Sequence, residues 1–417
     1  MKKHTSNYLF LLLLPTAYFI LWQYGYNVSK KFFSTFPDSI YIYLTNGMNI
    51  ASGNFDIGHY DNPGTPVHLF VGLVIYIAHL FTGTNVVYYD VLSNPELYLN
   101  ICVYLIGAFL LLATYYSGYY VFKKTKNIFL ALIFQLSPVS SYAIIHYLLL
   151  IRATPENLII IILTIYIPFV FLLSYLKNLY NNQFIDKSHI LTFSFISALL
   201  ITTKITCVPL LVIPIVYITP FYKKIMFLFL TFLFSLIILF PIWPKFVDMY
   251  QWFTQLATHS GEYGQGEKGV SVELMINNFI RLLKFELFYT VAYVFITLSL
   301  ILGLIKKRWD NPYFKFVIIS WFICSSQLLL ASKQFGLHYL IASQIIVPLG
   351  VIASTNLFIP QYFKKENFFY PLFFSLLLVI SIYKCNQSLN EYKKEHEIYK
   401  SALCASKLQG IPKIITS

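Results

Sequence analysis

Long apolar segments separated by short polar runs recur along most of this chain. A helix needs about 20 apolar residues to cross a hydrocarbon core, and several segments supply them. The first runs roughly from Tyr8 to Tyr26. The next long one covers roughly Leu99–Phe122, followed by spans near Ile128–Tyr147 and Leu158–Leu176. The region His189–Pro220 is too long for one span and is interrupted by ITTKITCVP, which predicts two short or broken helices. A span near Met226–Trp243 and three more complete the series. The predicted fold class is an all-α polytopic membrane protein with about 11 transmembrane helices.

Charge then assigns sides, because short loops rich in Lys and Arg stay cytoplasmic. Lys123, Lys124 and Lys126, Lys177 and Lys187, Lys223 and Lys224, Lys306-Lys307-Arg308, and Lys364-Lys365 all fall between apolar segments. The start, MKKHTSNYLFLLLLPTAYFILW, resembles a signal peptide, but QYGYN follows the apolar run instead of a small-residue cleavage site. It reads as an uncleaved first span with its N-terminus inside. The run Val67–Phe81 is short and carries His68 and His79. A full crossing there would put Lys123 and Lys124 outside, so it is predicted to lie in the outer interface. The first outer loop then covers residues 27–97. A second outer loop covers 244–285, and a short outer tail 384–417. The chain divides accordingly into 1–220, with the first outer loop, and 221–383, with the tail after it.

Composition excludes two alternatives. The chain of 417 residues is 58% hydrophobic and only 11% charged, where soluble domains carry about a quarter charged residues. The net charge of +13 would suggest nucleic acid in a soluble protein. Here the cations cluster between apolar segments, the pattern of cytoplasmic loops, so no nucleic-acid partner is expected. The five cysteines show no metal-ligand spacing. Cys102, Cys207 and Cys324 lie in apolar segments as packing residues, and Cys385 and Cys404 fall in the outer tail, where a disulfide between them is a hypothesis.

The alternation places Asp38, His59, Asp61, Arg152, Glu156, Lys204, Lys333 and His338 at or near the outer face. Ionisable groups at a membrane edge are costly and usually functional, so their common side predicts one active cavity. Asp38, after Pro37, fits either a general base or a helix cap. The run GHYDNPGTP presents His59, Tyr60 and Asp61 on a path fixed by Gly and Pro, either for binding or as a rigid connector. Asp56, His59 and Asp61 together also have the donor types for a divalent cation, although their spacing is irregular and no metal is assigned. Arg152 and Glu156, four apart in RATPEN, fit either a helical ion pair or a phosphate-binding Arg beside an acceptor-orienting Glu. Lys204 is the lone charge in its apolar stretch, flanked by Thr202, Thr203 and Thr206, and reads as a snorkelling lysine or an anion site. In SKQFGLHYL, Lys333, His338 and Tyr339 suit a phosphate leaving group or an interfacial anchor.

These motifs, in this order and on one side, resemble the GT-C superfamily of membrane glycosyltransferases, nearest to its protein mannosyltransferase and aminoarabinose transferase branch. The carrying features are Asp38 in FPDSIYIY, the turn GHYDNPGTP before an interfacial helix, Arg152 to Glu156, Thr203-Lys204 at a broken helix, and Lys333 through Leu340. The likeness covers roughly the first 220 residues and the stretch near Lys333. It departs from the family at Asp38-Ser39, where many members have paired acids, and in a short tail where some members carry a large outer domain.

The resemblance implies an inverting transferase at the outer face of a bacterial inner membrane. It would use a polyprenyl-phosphate-linked sugar donor, such as an undecaprenyl-phosphate sugar, and no cofactor. Asp38 would be the base, with Glu156 assisting. Arg152, Lys204, Lys333, His338 and Tyr339 would hold the donor phosphate, and His59, Tyr60 and Asp61 the sugar or acceptor. The acceptor would be a glycolipid (lipid A, core or O-antigen saccharide of the lipopolysaccharide) or a protein. The rival readings are an O-antigen polymerase or ligase and, less well matched, a transporter. A transporter predicts internal repeats, which the sequence lacks.

Overall fold

The computed structural model describes residues 8–28, 37–60, 64–177, 187–260, 265–269, 271–358 and 366–408. Among these the chain is helical throughout, with one isolated two-residue bridge between His259 and Lys268. The elements are α1 (Leu13–Val28), α2 (Pro37–Ala51), α3 (Thr65–Thr82), α4 (Val87–Ser93), α5 (Pro95–Thr125), α6 (Ile128–Leu136) and α7 (Tyr142–Leu149). They continue with α8 (Pro155–Lys177), α9 (Lys187–Thr203), α10 (Val212–Tyr217), α11 (Phe221–Ile238), α12 (Phe246–Thr258) and α13 (Val272–Phe285). The last four are α14 (Leu287–Ile305), α15 (Pro312–Lys333), α16 (Ile341–Phe358) and α17 (Glu366–Leu408).

Nine helices among the described residues are long and apolar enough to cross a membrane, or ten if the bent α6–α7 pair is one span. The protein is therefore an all-α, multi-pass membrane protein. The sequence predicts about eleven spans, and the difference arises where apolar segments are broken. The span expected near Ile128–Tyr147 is two helices bent by 87°. Pro138 opens the intervening 3-10 turn Ser137–Ser140, and Ser141 takes an extended backbone, which stops helix propagation through the break. The region after Lys187 divides as its sequence predicts. α9 ends at Thr203, Lys204 is extended, and the 3-10 segment Ile205–Leu211 leads into α10.

The α3 helix is longer than its apolar run. Thr65-Pro66 opens it and Gly83 ends it, which gives 18 residues with a mean hydropathy of 1.6. It thus has the length and composition of a crossing helix, although its sequence context predicts an interfacial one. Its partner is α2. A methyl group at Gly47 would sit 2.5 Å from Val71, and one at Gly72 would sit 2.8 Å from Ile50. Two glycines facing each other let these backbones approach closely. Because Tyr43 meets His68 and Gly47 meets Val71, the two helices run in the same sense.

Ring contacts fix which helix ends lie together. Tyr120 on α5 packs near Phe169 on α8 (centroids 6.5 Å), and Phe171 packs edge-on to Phe316 of α15 (5.2 Å). The C-terminal ends of α5 and α8 therefore share one end of the bundle with the start of α15, and that end carries Lys123, Lys124 and Lys126. The opposite end holds Arg152, Glu156 and Lys333.

The segment 244–285 holds two helices, α12 and α13, where the sequence predicts an outer loop. The tail also differs. α17 is one helix of 43 residues, about 65 Å at 1.5 Å per residue. It passes through Lys384 without a break, so the chain after Tyr383 starts as packed helix. Cys385, a free thiol, and Cys404 lie on that same helix nineteen positions apart, about 28 Å along the axis. A disulfide needs Cα atoms within about 7 Å, so the two cannot pair within one chain.

Candidate functional site

Three chain breaks meet at the end of the bundle opposite the lysine-rich one. They are the α7–α8 connection, the extended Lys204 between α9 and its 3-10 continuation, and the turn between α15 and α16. Pro155 starts α8 and puts Glu156 in its first turn. Helix N-termini favour a carboxylate, and here a cation completes the arrangement. The Lys204 ammonium donates to the Glu156 carboxylate, and both residues are buried. The Tyr339 ring lies 4.9 Å from the Lys204 ammonium, and the His338 ring packs on Tyr339 at 4.1 Å between centroids. Glu156 therefore spends its charge on Lys204 rather than on Arg152 one turn before it.

Arg152 is also buried, at 3% exposure. Its Nη1 donates to the Ile151 carbonyl at 3.0 Å, and the Asn157 side-chain amide donates to the Arg152 carbonyl at 2.9 Å. Burial pushes the guanidinium down to about 10, with Tyr26 and Tyr392 close enough to offset part of that. It remains a cation at neutral pH. Tyr147 lies within electrostatic reach of both Glu156 and Tyr339. The structure thus gathers Glu156, Lys204, His338 and Tyr339 from three distant stretches, while Arg152, four residues before Glu156, sets its guanidinium toward Tyr26 and Tyr392.

The remaining candidates lie as follows. Asp38 occupies the first turn of α2, and its side chain is outside the described set. The start of α2 faces the same end: burial and the nearby Glu96 carboxylate raise the Tyr41 phenol, and Glu96 also reaches Tyr26 beside Arg152. His59 and Tyr60 are half-buried on the return path after α2, and Asp61 lies outside the described residues. His59 packs edge-on to Tyr43 at 5.4 Å, and its carbonyl meets His68 Nε2 at 3.1 Å. The path is tied down by Gly58 N donating to Asn46 at 3.2 Å and by Asn49 donating to the Asp56 carbonyl at 2.9 Å. Among the described residues no group of three or more His, Cys, Asp or Glu side chains could hold a metal ion. Lys333 ends α15 and donates to the Leu256 carbonyl of α12, so it ties that helix to the end of α15.

A second buried ionic cluster escaped sequence reasoning. Glu286, between α13 and α14, is 1% exposed and pairs with Lys384 of α17 at 3.2 Å. It also accepts from Tyr142 N at 2.7 Å and from the Ser141 hydroxyl at 3.3 Å, at the α6–α7 break. Tyr142 bonds Glu391, and Tyr392 bonds His146. Glu286 directly before an apolar run and Lys384 at the end of one were visible signals. Their pairing was not.

Below this end lies a cavity of about 320 Å³ between α1, α5, α7 and α17, lined by apolar groups including Trp22, Leu110, Leu149 and Leu378 and reaching Ile151, next to Arg152. Comparison with protein-family models, with curated proteins and with solved structures returns no match for this chain.

Proposed function

We propose that this protein is an inverting glycosyltransferase of the GT-C type. It would move a sugar from a polyprenyl-phosphate donor to a glycolipid or protein acceptor at the outer face of a bacterial inner membrane. One observation carries the reading: a buried Lys204–Glu156 pair, faced by His338 and Tyr339, lies four residues from the buried Arg152, which follows Ile151 at the wall of an apolar cavity. Cations next to an apolar cavity match the two halves of a phosphorylated lipid, a charged head and a hydrocarbon chain. The positive-inside pattern supports the outer face, since Arg152 lies at the end away from the lysine-rich connections.

In this mechanism Asp38 takes the proton of the acceptor hydroxyl, and the oxygen attacks the anomeric carbon opposite the phosphate. The bond from that carbon to the phosphate oxygen breaks, polyprenyl phosphate leaves, and the anomeric configuration inverts. Arg152 and Lys204 hold the phosphate as charge builds on it, with His338 and Tyr339 around it. Glu156 keeps Lys204 in place and, with His59, Tyr60 and Asp61, orients acceptor and sugar. Lys204 can serve the phosphate only by sharing its ammonium, which has three donors, between the phosphate and Glu156.

The test is mass spectrometry of envelope glycolipids and glycoproteins from a null strain, a wild-type complement and an Asp38→Asn complement at matched expression. A sugar missing from the null and the variant, and restored by wild type, is the expected outcome. Full restoration by Asp38→Asn removes the base assignment. No glycan change in the null removes the transferase reading and favours transport.

A further inference from the structure

The α13 helix carries a pattern that the transferase reading does not use. Its residues divide into three stripes. Asn278 and Leu282 face inward, where Asn278 donates to the Ser332 carbonyl of α15 at 3.1 Å. Val272, Ile276 and Ile280, spaced by four, are exposed at 65%, 53% and 43%. Between these stripes run Asn277, Arg281 and Lys284, at the (i, i+4, i+7) spacing of a single helix face. The Arg281 guanidinium is held 3.8 Å from the Phe335 ring centroid, so one of the two cations is fixed in place. Asn277, Ile280, Arg281, Lys284 and Phe285 line a recess of about 460 Å³.

Position decides what the apolar stripe meets. α13 sits on the end of α15 and runs directly into the span α14. The exposed Leu287, Val291 and Leu298 belong to that span. An exposed apolar stripe on a helix that leads directly into a span, and flanked by cations, is the pattern of a helix lying in the headgroup layer. The only acid on α13 is Glu273, two turns and about 12 Å from Arg281 along the axis.

We propose that the recess at Asn277, Arg281 and Lys284 binds the phosphate of an anionic membrane phospholipid, while Val272, Ile276 and Ile280 rest on its hydrocarbon. Arg281 and Lys284 contact the phosphate, and Asn277 offers its amide to the glycerol or phosphate oxygens. This site is separate from the Lys204–Glu156 cluster and stands whether or not the transferase reading does.

The full-length protein, in nanodiscs containing phosphatidylglycerol and phosphatidylcholine, is compared with Arg281→Gln/Lys284→Gln by native mass spectrometry of retained lipid. Wild type is expected to retain phosphatidylglycerol selectively, and the variant to lose about fivefold of that preference for each cation removed. Equal retention by the two proteins overturns the site. So does displacement of the lipid by equimolar inorganic phosphate, since that makes it a soluble-anion site. Nitroxides at Ile276→Cys and Ile280→Cys give a second readout that leaves both cations in place. They are expected to be quenched by oxygen and shielded from an aqueous nickel chelate. Ready access by nickel places the stripe in water and overturns the proposal.

Discussion

The Lys204 ammonium and the Glu156 carboxylate touch, although the whole of α8 and α9 separates them in the chain. Each residue ends or begins a helix at the same end of the bundle, so one contact joins two chain breaks. Removing one partner leaves a buried charge with no counterion, which costs about 3–5 kcal/mol. Replacing both with apolar residues of similar size leaves no orphan charge.

Glu156→Gln and Lys204→Met should therefore each lower the melting temperature of the purified protein strongly. The Glu156→Leu/Lys204→Met double variant should recover most of the loss. If the pair also serves catalysis, the double variant stays without transfer activity despite its recovered stability. Melting curves read beside a transfer assay separate the two roles, and an active double variant makes the pair purely structural.

Asp38→Asn should reduce sugar transfer by about 10²–10⁴-fold, the contribution of a positioned general base. Asn remains a good residue for a helix start, so the melting temperature should stay near wild type. Single-turnover transfer in proteoliposomes measures the first effect, and a thermal scan of the same preparation measures the second.

Arg152→Lys keeps the charge but loses the planar fork that grips a phosphate. Charge-assisted hydrogen bonds contribute about 1.5–3 kcal/mol each, so KM for the lipid donor should rise by roughly tenfold or more. KM for the acceptor should hold. A rise in acceptor KM alone would move Arg152 from the donor to the acceptor.

Lys384→Met should destabilise the fold by about 3–5 kcal/mol, because Glu286 would remain buried and unpaired. Ending the chain after Tyr383 should do at least as much, since it also removes Tyr392 and Glu391 from the α7 helix. Urea or thermal unfolding of the two variants tests this. Wild-type stability in the truncated protein would mean that α17 beyond Tyr383 contributes no packing.

Asp90 predicts a local pH effect. Its carboxylate accepts from Asn85 N at 3.1 Å and Thr84 N at 2.9 Å, and it lies 3.1 Å from the His79 ring nitrogen. These backbone bonds, Asn85 foremost, hold its pKa below the usual carboxylate value even against desolvation, with His79 adding to the effect. A depressed carboxylate stabilises the folded turn above its unfolded pKa, and that contribution fades as pH falls below about 4 through the folded value. Hydrogen exchange at the Thr84 and Asn85 amides should lose protection in that window, and Asp90→Asn should abolish the pH dependence.

Much of the fold was legible in the sequence because a bilayer imposes simple requirements on it. Apolar runs of spanning length mark Tyr8–Asn27, Pro95–Thr125 and Pro312–Lys333, and proline or a polar cap marks where many helices begin. The break at Lys204 was legible too, because a charge among hydroxyls cannot continue an apolar span at no cost. The 87° bend at Ser137–Ser141 was missed because its Ser-Pro break is flanked by strongly apolar residues on both sides, and hydropathy averages over it.

Taken alone, the sequence determined the all-α membrane class and placed the lysine-rich connections at the end opposite Arg152 and Glu156. Those properties follow from residue type and order, which fix the cost of placing each segment in lipid. Only the tertiary structure decided that Glu156 serves Lys204 rather than Arg152, that Lys333 anchors α12, that Glu286 pairs with Lys384, and that Cys385 and Cys404 stand apart on one helix. Such choices depend on which helix ends meet in space. Helix packing settles that through side-chain shape and through counterions supplied from distant parts of the chain, which no local pattern encodes.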